Sequence, residues 1–416
     1  MQIQHFLTPQ AIFYQLSNLR QITLEVTDVC NLRCKYCGFG EFYDDYDKRT
    51  NKNLSIDTVI NLLDYLIRFW QSNQNTSSNR NVYISFYGGE PLLNMGLIIE
   101  VVKYIEQKKC SVRHFTYSMT TNALLLHKYI DYLVEKNFNL LISLDGDAAN
   151  TAYRVDAIGN PSFDRIIKNV NTLRDKYSDY FAKKVNFNAV LHNKNSVEKI
   201  HRFFKEAYQK IPSIGELNNM GIRPDKQTEF MHTYCNQEES LQQSEHYEEI
   251  EKERFIQSPT FQTVCTFLHQ YSGFVFKDYN ELLYGKNEKQ HWITGTCPPF
   301  SKKMFVTVNG KILPCERIGH QFALGTVDKE GVHLNFEEIA QRYNNYFVKL
   351  EKQCKACYNK KTCIQCIFNL PDLEKNPICH GFMDKKDFEQ YQDYIMSFLR
   401  QHPEDYYRIM EDVIVE

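Results

Sequence analysis

Ten of the thirteen cysteines of this 416-residue chain fall into two groups, and that clustering limits what the chain can fold into more than any other feature. Three stand close together at Cys30, Cys34 and Cys37; seven more, Cys297, Cys315, Cys354, Cys357, Cys363, Cys366 and Cys379, crowd the C-terminal third. The N-terminal stretch MQIQHFLTPQ has no basic region followed by an apolar run, and no segment approaches the roughly 20 apolar residues that span a bilayer. This reading places the chain in the cytoplasm, where disulfides are disfavoured and clustered thiols point to metal or redox work. Lys plus Arg (49) nearly balance Asp plus Glu (51), so no global field draws the chain to nucleic acid or to an anionic membrane.

The frame around the first group reads as α/β. From Gln21 to about Pro224, short β-type runs alternate with amphipathic stretches, the pattern of βα units around parallel strands. Strands are expected over 21–26, 82–87, 112–119, 138–144, 185–190 and 216–223, with helices over 97–108, 124–136, 162–177 and 195–209. A further helix begins after Ser55, an N-cap residue, and carries Ile56, Val59, Ile60, Leu63, Leu66, Ile67 and Trp70 at helical spacing. Six such units make a partial (β/α)6 barrel of TIM type. The expected divisions are an N-terminal extension 1–20, the barrel 21–224, a connector 225–295 with an aromatic segment, a cysteine-rich domain 296–384 held by metal rather than a large core, and a helical tail 385–416 interrupted at Pro403.

In such sheets and barrels the reacting groups sit at the C-terminal strand ends, and the motifs stand there. Cys30-x3-Cys34-x2-Cys37 follows the first strand. Read from the residues alone, its thiols hold an iron–sulfur cluster with one open iron, hold zinc, or remain reduced structural thiols. Gly88-Gly89-Glu90-Pro91 follows the second strand; paired glycines admit close backbone approach, and a carboxylate accepts from an ammonium group, although GGE is also a common turn. Thr120 and Asn122 follow the third strand, and Ser143 and Asp145 the fourth. Arg154 offers a fork that suits a carboxylate or is simply solvated, and Val190, ending the fifth strand, meets a ligand or is plain core.

CxxxCxxC with the aromatic Tyr36 before its last cysteine, followed by GGEP, resembles the signature of radical S-adenosylmethionine (SAM) enzymes. The resemblance implies that Cys30, Cys34 and Cys37 hold a catalytic 4Fe–4S cluster whose fourth iron takes SAM. It further implies that Tyr36, Gly88, Gly89, Glu90, Thr120, Asn122, Ser143, Asp145, Arg154 and Val190 surround that cofactor, with Glu90 toward the amino group, Arg154 toward the carboxylate and Val190 toward the adenine.

The second cysteine group, read alone, suggests a zinc ribbon or knuckle from its two CxxC pairs. In order and spacing it resembles the SPASM extension of radical SAM enzymes, which implies two auxiliary 4Fe–4S clusters, one on Cys297, Cys315 and Cys366 and one on Cys354, Cys357, Cys363 and Cys379. The total is then three clusters. Two departures stand out. Cys363 and Cys366 are two residues apart where the family pattern has three, and His291 and Trp292 stand where some relatives carry an eighth cysteine. The first auxiliary cluster is therefore expected either to keep an iron open, for a substrate thiolate, or to recruit Cys265; Cys110 and Cys235 read as incidental thiols. The resemblance implies a maturase that oxidatively cross-links a ribosomally made precursor peptide by a thioether or carbon–carbon bond, with an anaerobic sulfatase-type formylglycine maturase and a non-catalytic metal-bound scaffold as alternatives. It also implies an electron donor such as flavodoxin or ferredoxin and, because only about 20 residues precede the first strand, either a separate leader-binding protein or none. No residue announces itself as the catalytic base.

Overall fold

The computed structural model describes residues 7–76, 81–108, 110, 112–257, 259–271 and 294–412. Its contacts group the chain into two units that cut across the expected divisions: Gln10–Ile250 with Pro299–Asn335, and Glu251–Pro298 with Phe336–Glu416 and the extreme N-terminus.

In the first unit six parallel strands follow one another across the sheet in chain order, as in a partial (β/α) barrel: β1 (Gln21–Thr27), β2 (Asn81–Gly88), β3 (His114–Thr121), β4 (Asn139–Ser143), β5 (Val185–Val190) and β6 (Ser213–Gly215). Crossover helices supply the cover that parallel strands need. The first, Ile56–Trp70, starts where the Ser55 hydroxyl accepts from the Thr58 amide, and it buries Val59, Leu62, Leu63, Leu66 and Trp70 along one stripe. Every residue of β1 after Gln21 is buried, so the strand that delivers the first cysteine group lies at the centre of the core.

Three expectations are corrected. The sixth strand is Ser213–Gly215 rather than 216–223. Residues 221–223 instead run beside the cysteine-loop segment, with the Arg223 amide donating to the Phe42 carbonyl (2.9 Å), because Gly221 takes a positive φ of 65° against Asp45 and turns the chain away. The expected helix over 124–136 is split into a 3-10 turn, Leu126–Lys128, and a short helix, Ile130–Glu135, by the non-helical Tyr129. The third strand begins at His114 rather than at residue 112. Arg113 is drawn inward before it, donating to the Ser17 carbonyl (2.8 Å) and to Asn75 Oδ1 (2.9 Å).

Beyond the barrel strands, β7 (Met304–Val306) pairs parallel with β1, and β8 (Lys311–Leu313), β9 (Gly325–Val327) and β10 (Val332–Leu334) continue antiparallel, giving one sheet in the order β10-β9-β8-β7-β1-β2-β3-β4-β5-β6. The stretch that carries Cys315 is thus built onto the barrel sheet. Gly310 makes its first turn at φ 76°, where a Cβ would lie 2.1 Å from the Val327 carbonyl oxygen.

The second unit is helical. Helices Pro259–Tyr271, Lys385–Gln401 and Pro403–Asp412 enclose Phe255, Val264, Leu268, Ile395 and Ile409, and helix Phe336–Ala356 buries Tyr343, Tyr346, Phe347 and Leu350 before delivering Cys354 and Cys357. The connector is therefore helical up to Tyr271; the aromatic stretch beyond it, together with His291 and Trp292, lies outside the described residues. Among the described residues no helix is long and apolar enough to cross a membrane.

Gly310→Ala is expected to cost about 1–3 kcal/mol, since both its φ and the Val327 carbonyl oppose a side chain. A urea-unfolding midpoint equal to that of the wild type would contradict this account of the turn.

Candidate functional site

The loop that leaves β1 carries Cys30, Cys34 and Cys37, all half-buried free thiols. It is fixed by backbone bonds to the chain beyond β4: the Arg33 amide donates to the Val155 carbonyl (2.7 Å) and the Lys35 amide to the Tyr153 carbonyl (3.2 Å). Burial pushes the Cys30 thiol up to about 11 and the Cys34 thiol to about 12. Thiols in such a place become thiolates only against strong positive charge, and a loop offering three of them fits an iron–sulfur core.

The turn after β2 packs against this loop. The Gly89 amide donates to the Thr27 carbonyl (2.8 Å) and the Glu90 amide to the Val29 carbonyl (2.8 Å). A Cβ on Gly88 would lie 2.3 Å from the Thr27 oxygen, and one on Gly89 would lie 2.1 Å from the Val29 oxygen. What the paired glycines admit is thus the chain's own backbone on its way to Cys30.

Glu90 is 1% exposed and accepts three hydrogen bonds, from the Leu92 amide (3.1 Å) and Thr121 Oγ1 (2.7 Å) on one oxygen and from the Asn122 amide (2.8 Å) on the other. Burial nevertheless pushes its carboxyl up to about 7, against those three donors. Asn122 carries the link onward, its Nδ2 donating to Asn31 Oδ1 (2.7 Å) and lying 3.9 Å from Cys30 Sγ. Thr121, rather than Thr120, makes the contact with Glu90; it shares the inward face of β3 with Met119, whereas Thr120 is only half-buried.

Asp145, fully buried just after β4, is the second hub. One oxygen accepts from the Tyr36 hydroxyl and from Arg154 Nε (3.0 Å), the other from Arg154 Nη2 (2.8 Å) and the Val190 amide (2.9 Å). Burial alone would raise its carboxyl; the Arg154 charge together with hydrogen bonds from His192, Arg154 and Tyr36 more than offsets this and holds it at about 2. Arg154, raised well above its ordinary value by Asp145 despite burial, spends two of its nitrogens on that carboxylate. Tyr36 stacks on the fully buried His192 at 5.4 Å, and the His192 Nε2 lies 3.8 Å from Asp145. His192 carries no sequence signal beyond lying just past β5. Val190 packs against the cluster of Tyr36, Phe42, Tyr43, Leu217 and Phe230. Ser143, half-buried, is the last residue of β4 and pairs with Asn188.

Cys315 lies in the same unit, after β8. It accepts from the Arg317 amide (3.4 Å), and burial pushes its thiol up to about 11. In the helical unit the remaining cysteines fall into two neighbourhoods. Cys354, pushed up to about 12 by burial, feels the charges of Cys363, Cys379 and Cys357, whereas Cys366 feels Cys297. The Cys363-x2-Cys366 pair is therefore split. The split is fixed locally, with Cys366 leading a 3-10 turn whose Ile367 amide donates to Thr296 Oγ1 (2.8 Å), while Gly295 leaves room for the Cys363 carbonyl, which a Cβ would meet at 2.3 Å. Cys265 belongs to neither: it is buried among Phe255, Val264, Phe267 and Leu268, and burial in that apolar cluster pushes its thiol up to about 12.

Residues 24–207 match the family model of the radical SAM superfamily. The chain is 30% identical over 183 residues to the radical SAM cyclopropyl synthase TigE of Paramaledivibacter caminithermalis, covering 42% of this chain and 35% of that protein. It is 26% identical over 165 residues to the serine-type anaerobic sulfatase-maturating enzyme of Bacteroides thetaiotaomicron, covering 39% and 38%. The chain thus matches these curated relatives over less than half of their length. Native anSMEcpe with bound AdoMet shares the fold over 94% of this chain and 100% of that one, at TM-score 0.58 and 18% identity; the same protein has also been solved with AdoMet and the Kp18Cys peptide.

Two predictions follow from the hubs. Asp145→Asn leaves Arg154 buried without its counter-charge and is expected to cost about 3–5 kcal/mol, whereas Tyr36→Phe costs roughly 1.5–3 kcal/mol; equal, small losses in urea unfolding would contradict the hub. Glu90 keeps its proton in the folded protein up to about pH 7 but loses it near 4.5 when unfolded, so stability falls as pH rises through that window. Glu90→Gln is expected to remove that slope, on the order of 3 kcal/mol across the window; a slope unchanged in the variant would contradict the assignment.

Proposed function

With residues 24–207 a radical SAM domain, we propose that the chain is a peptide maturase that carries out a net oxidative modification of a precursor peptide, forming an intrachain thioether or carbon–carbon cross-link. The observation that carries this reading is the convergence of a three-thiol loop with the Glu90 and Asp145 hubs at the C-terminal ends of β1, β2 and β4. In this reading Cys30, Cys34 and Cys37 hold a 4Fe–4S cluster with SAM beside it, and the pair supplies reductive SAM cleavage and abstraction of a substrate hydrogen. The chain's own part is positioning. Glu90 orients Asn122 toward the cysteine loop, and Asp145 fixes Tyr36, Arg154 and the Val190 amide around the loop's last turn. Gly88, Gly89, Thr120, Asn122, Ser143, Arg154 and Val190 form the SAM surround.

Two auxiliary 4Fe–4S clusters, on Cys297, Cys315 and Cys366 and on Cys354, Cys357, Cys363 and Cys379, would accept the second electron of the oxidation. The two separate neighbourhoods in the helical unit support this allocation. The first auxiliary cluster would take Cys297, Cys315 and Cys366 from the chain, with a substrate thiolate or Cys265 as its fourth ligand. Flavodoxin or ferredoxin serves as electron donor. The chain works in the cytoplasm.

Formylglycine formation is the second reading, favoured by the similarity to the sulfatase-maturating enzyme. An anaerobic incubation of the cluster-loaded protein with SAM, dithionite and short synthetic peptides separates the two. The expected product loses two hydrogens, resists hydrazide labelling and shows an internal link in tandem mass spectra. A hydrazide-reactive aldehyde would replace the cross-link by formylglycine. SAM left uncleaved by the cluster-loaded protein would overturn both readings and leave a metal-bound scaffold.

A further inference from the structure

The last turn of helix Tyr247–Arg254 and the joint between helices Lys385–Gln401 and Pro403–Asp412 bring three metal-ligating side chains together within the helical unit. Glu251, His402 and Asp405 each offer a donor atom within 4.8 Å of the other two. Two of them are out of water: Glu251 is 6% exposed and Asp405 1%. Glu251 Oε1 and Asp405 Oδ2 are buried with no hydrogen-bond partner among the described residues. Arg408 is the nearby cation, its Nη1 donating to the other Asp405 oxygen at 3.4 Å and more closely to the Lys252 carbonyl at 2.9 Å. It leaves the two orphaned oxygens unanswered.

Buried polar atoms of native proteins are nearly always satisfied, and a carboxylate oxygen without a partner is costly. Two of them facing an imidazole make a donor set that a divalent cation completes. The backbone holds the set ready: the His402 amide donates to the Phe398 carbonyl (2.9 Å), the Asp405 amide donates to the His402 carbonyl (3.1 Å), and the His402 ring stacks on Phe398 at 4.6 Å. The half-buried His402 leaves an entry for the ion. The other grouping of this kind among the described residues, Glu198 with Glu245 and His246, is largely exposed and already paired, His246 Nδ1 to Glu198 at 2.7 Å.

We propose that Glu251, His402 and Asp405 bind a divalent first-row transition ion, with zinc as the reference case, separately from all the cysteines. One imidazole nitrogen and two carboxylate oxygens suit such an ion, and the fourth position is left to water. The ion would staple the Tyr247–Arg254 helix to the C-terminal helix pair.

The test uses the full chain with its iron–sulfur clusters loaded, washed with chelator and titrated with zinc. The expected result is about one tightly held zinc per chain at unchanged iron content, a Zn K-edge first shell of nitrogen and oxygen only, and a rise in melting temperature on binding. Glu251→Gln and His402→Ala are each expected to weaken zinc binding by about tenfold or more and to abolish that rise. His402 is half-exposed at a helix end, so its variant keeps the test alive if the buried Glu251 variant does not fold. Sulfur in the zinc shell, no retained zinc, or wild-type binding by His402→Ala would overturn the proposal. A zinc-free wild type that is stabilised by Glu251→Gln would assign the pair to a shared proton instead.

Discussion

Four parts of the chain meet on one buried charge. Asp145 accepts from Tyr36 in the cysteine loop, from Arg154 past β4 and from the Val190 amide at the end of β5, and His192 lies beside it. A carboxylate taken this far from water is tolerable only when paired and hydrogen-bonded on both oxygens, as it is here. The consequence is geometric. The last turn of the cysteine loop cannot shift without breaking the buried hydrogen bond from Tyr36 to Asp145, so the positions of Cys34 and Cys37 depend on strands β4 and β5 as well as on β1. Glu90 does the same for Cys30 from the other side, through Asn122.

Much of this was legible in the sequence. The alternation of strands and helices predicts five of the six barrel strands in place, because each carries a run long enough to show its period. The sixth is lost because three residues show no period, and because the stronger-looking run after it is diverted at Gly221. β7 to β10 escape for the same reason, at three residues each. The parallel pairing of β7 to β1 is a long-range fact with no local signal.

Among site residues, Tyr36, Glu90, Asn122, Asp145 and Arg154 stand in recognisable motifs at strand ends, and the structure brings them to two hubs. Arg154 answers Asp145 rather than standing alone, a pairing that spacing does not reveal. Thr121 could have been found from the alternation of β3, which puts it inward with Met119. His192 could not, since a lone histidine after a strand has many uses. In the second cysteine group, CxxC spacing alone would join Cys363 to Cys366, yet the backbone around Gly295 and Thr296 turns Cys366 toward Cys297.

In the proposed function the cysteines form three separate cluster sites, of which only the barrel loop cleaves SAM. Iron and sulfide counting on the anaerobically reconstituted protein, beside a variant with Cys30, Cys34 and Cys37 all changed to Ala, tests it most directly. The account predicts about twelve irons for the wild type and about eight for the variant, with 5′-deoxyadenosine formed only by the wild type. A variant that loses all its iron, or one that still cleaves SAM, would contradict it.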